Sequence, residues 1–135
     1  MSANFESSEC RLTIVDDDLN TLFLVERALK EAFPDASITT LTDGSDALQH
    51  IRKIGTDLLI TDHSMTHMNG ADLIRELRAD GSNLPIIMIS NSPNAKEEGR
   101  AAGANRFMEK GEAMSRLPEA VRTLLETRAP QQRAV

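Results

Sequence analysis

Tryptophan and tyrosine are absent from this chain, and phenylalanine occurs only four times. A core without aromatic bulk has to be filled with Leu, Ile, Val, Ala and Met. Cysteine occurs once, at Cys10, so no internal disulfide can form, and a reducing, cytoplasmic setting is expected. Long apolar runs are missing too. Runs such as "LLI" and "PIIMI" fall far short of the roughly 20 residues that span a membrane. The opening "MSANFESSEC" has neither the basic region nor the apolar core of a signal peptide. Positive charge is in deficit and scattered: 15 Lys and Arg stand against 21 Asp and Glu, a net −6. That argues against direct binding of nucleic acid or an anionic membrane. Repeats, low-complexity tracts and linkers are also lacking.

What is present is alternation, in a chain of 135 residues that suits one domain with one core. "RLTIV" (11–15) is a short β-branched run that reads as a buried strand. Leu22, Val25, Leu29 and Phe33 then recur three or four apart, a helical face ended by Pro34-Asp35. "ASITTLTD" (36–43) alternates as a strand does. "GSDALQHIRKIG" (44–55) reads as a helix capped by Ser45, with Gly55 as terminator. "DLLITD" (57–62) is a second buried strand, "NG" (69–70) a turn, and "ADLIRELRAD" (71–80) a helix.

"LPIIMIS" (84–90) is a third buried strand. "SPNAKEEGRAAGA" (92–104) predicts a helix with Ser92 as cap and Pro93 as first residue. Its inward face can only be Ala95, Gly99 and Ala102, so a short, mobile helix is expected. "NRFMEK" (105–110) is a short strand. Leu117, Val121, Leu124 and Leu125 mark a last helix, with Pro118 tolerable only in its first turn.

Five strands and five helices in alternation, with continuously apolar central strands, predict an α/β fold. The expected form is a doubly wound five-stranded parallel sheet of flavodoxin-like order 2-1-3-4-5. It would occupy residues 11–128, between a flexible segment 1–10 and a polar tail 129–135. In such sheets, sites lie beyond the carboxyl ends of the strands. Asp16-Asp17-Asp18, Thr61-Asp62, Ser90-Asn91 and Glu109-Lys110 all fall there. Three adjacent carboxylates repel one another, and something must offset that cost. Carboxylates from separate strands, with no thiolate or helical His pair, make a hard-oxygen site suited to Mg²⁺ or Mn²⁺. His63 and His67 would need a helix to serve as a zinc pair, and "DHSMTH" reads as loop. Asp18 is expected to cap the first helix, and the methionines (65, 68, 88, 108, 114) to pack.

With "IVDDD", "DLLITDHSMTHMNG", "PIIMIS" and "AAGANRFMEK" in order, each at a strand end, the chain resembles a bacterial response-regulator receiver domain. The resemblance spans residues 10 to 128. It implies that Asp62 accepts a phosphoryl group from a sensor histidine kinase or histidine phosphotransfer protein. Asp16, Asp17, Asp62 and the backbone carbonyl of Ser64 would hold Mg²⁺, Asp17 directly and Asp16 through water. Ser90 would bond the phosphoryl oxygen, Lys110 would pair with its charge, and Phe107 would take the place of the switch aromatic. Such a protein is a phosphoacceptor that assists its own phosphorylation and dephosphorylation, not a turnover enzyme. It would signal to a downstream protein target, with no output domain following; a weak homodimer is left open. The family's usual signalling face carries Lys96, Arg100, Arg106 and Arg116 here.

The chain departs from the family pattern in places. Thr66 stands where proline is usual in "D-x-x-M-P-x-M-x-G", and Gly111 where proline usually follows the lysine. A trans Lys110-Gly111 bond is therefore expected, with Lys110 less rigidly held. Asn91 is larger than the usual Ala or Gly and would partly cover the phosphoryl group. Ser90 to Lys110 is slightly shorter than usual. These departures leave room for an alternative, a receiver-fold interaction module that is rarely phosphorylated. A third reading, a Mg²⁺-dependent phosphatase with Asp62 as nucleophile, typically wants an acid two residues on, where this chain has Ser64.

Overall fold

A computed structural model of the chain describes residues 10–127. The apolar runs are strands and the periodic segments between them helices: β1 (Arg11–Val15), α1 (Leu19–Ala32), β2 (Ser37–Leu41), α2 (Gly44–Lys53), β3 (Leu58–Asp62), α3 (Gly70–Ala79), β4 (Ile86–Ile89), α4 (Ala95–Ala102), β5 (Arg106–Met108) and α5 (Lys110–Thr127). The sheet order is β2-β1-β3-β4-β5, and every neighbouring pair is parallel, the expected doubly wound arrangement. Val15 pairs with Thr61, and Asp62 with Ile89. Asp16, Asp62 and Ser90 therefore leave β1, β3 and β4 at one edge of the sheet.

Each face of the sheet has its own core, because helices cover both. On one, Leu12, Ile14, Leu58, Ile60, Ile87 and Ile89 meet Leu22, Val25 and Leu29 of α1 and Leu117, Val121 and Leu125 of α5. On the other, Val15, Leu59, Ile86 and Met88 meet α2, α3 and α4. Each fully buried Leu or Ile contributes on the order of 1.5–3 kcal/mol.

Helix α4 buries only Ala95, Gly99 and Ala102, the face read from the sequence. A Cβ on Gly99 would stand 2.8 Å from the Met88 sulfur, so the helix lies close on β4. Its start differs from expectation. Ser92 is not the cap: its N–H turns back to Ser90 Oγ (3.0 Å), and its carbonyl closes a turn onto the Ala95 N–H. Pro93 sits in that turn, and the helix begins at Ala95 without a side-chain cap. In α2 the cap is Asp43 and not Ser45, because the longer carboxylate accepts both the Ser45 N–H and hydroxyl at 2.8 Å.

The last helix also corrects the sequence reading. It begins at Lys110, so Pro118 lies in its interior. Ala113, Leu117, Ala120 and Val121 form a buried stripe that starts a turn earlier than the large side chains suggest. Glu112 reaches back to the Glu109 N–H (3.3 Å), as in a capping box. Packing of that stripe outweighs the one hydrogen bond Pro118 cannot give. Cys10, placed with the loose first residues, is buried, and its carbonyl accepts the Ser37 N–H (2.9 Å). The rest of the expected N-terminal segment and the polar tail lie outside the described residues. Among the described residues, no helix is long and apolar enough to cross a membrane, and no peptide bond is cis, so Lys110-Gly111 is trans.

Candidate functional site

The first strand carries Asp16 straight off a buried ladder, and the carboxylate is 1% exposed. Its Oδ1 accepts the Asp18 N–H (2.9 Å). Its Oδ2 has no hydrogen-bond partner, and Lys110 Nζ stands 3.3 Å away. Burial pushes the Asp16 pKa up to about 6; the Asp62 charge adds to this, while the Asp18 N–H and Lys110 counter it. Asp17 is exposed, and Thr66, in the place of the usual proline, offers its hydroxyl to Asp17 Oδ2 at the outer limit of 3.5 Å. Asp18 caps α1 as expected, accepting the Asn20 N–H (3.1 Å) and the Thr21 hydroxyl (2.9 Å).

Asp62 ends β3 and is 3% exposed. Its Oδ1 accepts the His63 N–H (2.7 Å), and its Oδ2 faces Lys110 Nζ at 3.3 Å. The loop that follows holds Ser64, exposed, and returns against the strand at Gly70. A Cβ on Gly70 would come 2.2 Å from the Asp62 carbonyl oxygen, so the close approach requires glycine. One carboxylate oxygen each from Asp16, Asp17 and Asp62 lies within 4.8 Å of the others. Three carboxylates, one with a buried oxygen that nothing hydrogen-bonds, fit a small hard cation.

Ser90 is buried after β4; its oxygen accepts the Ser92 N–H, and its hydroxyl proton remains a donor. Lys110 opens α5. Burial alone would push its ammonium down, but the Asp62 and Asp16 charges raise the pKa overall. Phe107 is half-buried in β5 against the α4 side of the sheet. It lines a cavity of about 230 Å³ with Lys96, Arg100, Ala104, Asn105 and Arg106, which include three of the four basic residues of the face singled out in the sequence.

The histidines do not form a metal pair. His63 is buried; its Nε2 meets the Glu98 carboxylate of α4 at 2.5 Å, and its Nδ1 lies 3.4 Å from the Ala71 N–H. His67 takes a left-handed backbone (φ 67°) and pairs with Asp43 at 2.9 Å. Among the described residues, the only His, Cys, Asp and Glu group with metal-binding spacing is the aspartate triple. The sequence reading missed the His63–Glu98 contact and a bond from the Lys110 N–H to Asn91 Oδ1 (3.0 Å). Both join residues far apart in the chain, and nothing local marks them.

The family model for the response regulator receiver domain matches residues 12–122. The chain belongs to this family. Response regulator MprA of Mycobacterium bovis is 31% identical over 126 residues, covering 92% of this chain and 54% of that protein. The chain thus spans about half the length of the curated relatives it matches. Among solved structures, the receiver domain of NtrX from Brucella abortus is 26% identical with a TM-score of 0.77, covering 87% of this chain and 99% of that one. Chemotaxis response regulator CheY4 of Vibrio cholerae is 28% identical with a TM-score of 0.70, covering 83% and 98%. The chain is therefore a receiver domain of two-component signalling, and the acidic cluster at its strand ends is the family's place for Mg²⁺.

Proposed function

We propose that Asp62 accepts a phosphoryl group from the phosphohistidine of a sensor kinase or phosphotransfer protein, and that the product is read by a downstream protein partner. The observation that carries this reading is the buried Asp62 carboxylate, with Lys110 Nζ at 3.3 Å and two more carboxylates beside it. An Asp62 oxygen attacks phosphorus, the P–N bond breaks, and the histidine nitrogen leaves. Asp16, Asp17, Asp62 and the Ser64 carbonyl would hold Mg²⁺, which when bound neutralises the phosphoryl oxygens. Lys110 supplies a second positive charge already aimed at Asp62, and Ser90 supplies a hydroxyl donor. The new group carries about −1.5 to −2 charge where the free carboxylate carried −1, and sets it on three outward oxygens. Ser90 and Lys110 are drawn toward it, and Phe107, on β5, borders the cavity of the basic face. In this reading the protein assists its own phosphorylation and dephosphorylation and has no turnover substrate.

The test is incubation with Mg²⁺ and acetyl phosphate or phosphoramidate, followed by intact mass. One added phosphate is expected, absent from Asp62→Asn. No label from any donor would sink the reading in favour of an unphosphorylated interaction module, and steady hydrolysis of phosphate esters would point to a phosphatase.

A further inference from the structure

The two groups that would read the phosphoryl oxygens come from different stretches of chain. Ser90 leaves the end of β4, and Lys110 opens α5. The β4–β5 ladder pairs Ile89 with Met108, and the Ser90 N–H reaches the Met108 carbonyl (3.1 Å). Beyond that point the two chains leave the sheet. Across the gap the Lys110 N–H donates to Asn91 Oδ1 at 3.0 Å. Lys110 is the first residue of its helix, so this N–H has no partner within the helix. The next residue, Gly111, has no atom within 4 Å of where a Cβ would stand, so the side on which a side chain would project is open. The Asn91 oxygen is committed to the helix end.

We infer that Asn91 is a positioning residue. Its amide fixes the backbone of Lys110 relative to the neighbouring Ser90, so that the ammonium is presented to the group on Asp62. In this chain it supplies the restraint that Gly111 does not. Lysine is a point charge on a flexible stem, and its value to transfer depends on where the stem is anchored. The inference rests on the phosphoacceptor reading above.

Asn91 is exposed, and its truncation should leave the fold intact. Initial phosphorylation rates with acetyl phosphate and Mg²⁺ are compared in wild type, Asn91→Ala, Lys110→Ala and the double variant. The Lys110 amide is followed by NMR hydrogen exchange in the unphosphorylated protein. Asn91→Ala is expected to slow phosphorylation about three- to ten-fold, the worth of one net hydrogen bond. That loss should vanish in the Lys110→Ala background. The Lys110 amide should lose protection in Asn91→Ala and regain it in Asn91→Asp, which keeps the acceptor oxygen. An unchanged rate, an equal loss with and without the lysine, or an unchanged Lys110 amide would each overturn the positioning role. A wild type that takes no label would overturn the phosphoacceptor reading, and this role with it; the amide result would still report the bond.

Discussion

The Lys110 ammonium lies 3.3 Å from Asp16 Oδ2, a buried oxygen that no hydrogen bond satisfies. The lysine thus offsets charge where a divalent cation would, and the two compete for one carboxylate. Lys110→Ala removes the competitor and leaves Asp16 and Asp62 to a cation alone. Mg²⁺ should then bind more tightly, by up to about tenfold, since a unit charge a few ångströms away is removed. Phosphorylation should slow despite the better-filled site. Calorimetric Mg²⁺ titration of the two proteins checks this; weaker binding in Lys110→Ala would show that the lysine organises the metal site.

Asp16 also sets a pH dependence. Its value in the folded protein, about 6, lies above the ordinary 3.8. A carboxyl shifted upward stabilises the metal-free fold fully below 3.8 and loses that contribution as pH rises through 6. A metal takes the deprotonated form and reverses the preference. Mg²⁺ affinity should fall by up to about tenfold per pH unit below 6, because one proton must leave. The Mg²⁺-induced rise in melting temperature should shrink between about pH 7.5 and about pH 5. An equal rise at both values would remove Asp16 from metal binding.

Gly70 is held by contact and not by an unusual backbone angle. Gly70→Ala would drive a Cβ to 2.2 Å from the Asp62 carbonyl. The strand end or the loop must move, at a cost of about 1–3 kcal/mol. The movement falls on Asp62, the proposed phosphoacceptor, so the rate of labelling should drop along with stability. Thermal melts and acetyl phosphate labelling measure the two effects separately.

These relationships show what was legible in the chain. Strand runs such as "LLITD" and helical faces such as Leu22, Val25 and Leu29 are local patterns, and parallel topology then forces Asp16, Asp62, Ser90 and Lys110 to one edge. Ala113 was missed because a small residue gives a helical face little hydropathic signal, so α5 was read a turn too late. Ser45 and Ser92 are good caps by residue type, but Asp43 had the longer reach and Ser92 was already turned toward Ser90. Asn91–Lys110 and His63–Glu98 join stretches 19 and 35 residues apart, and such pairing has no local signature.

The His63–Glu98 contact gives α4 its own prediction. The helix buries only two alanines and a glycine and has no side-chain cap, so little apolar area holds it to the sheet. His63 is buried beside Asp62, and one tautomer satisfies both of its ring contacts: Nε2–H donates to Glu98, and Nδ1 accepts the Ala71 N–H. The ring thus ties α4 to the end of β3, beside Asp62. Glu98→Ala should leave β4 and α3 intact but raise amide exchange across residues 95–102. The rise should be about three- to tenfold, as for one lost hydrogen bond. In the wild type, α4 should already exchange faster than α3 or α5. Hydrogen-exchange mass spectrometry resolves the three helices. Slow exchange in α4, unchanged by Glu98→Ala, would mean that the close approach of Gly99 to Met88 holds the helix without the histidine.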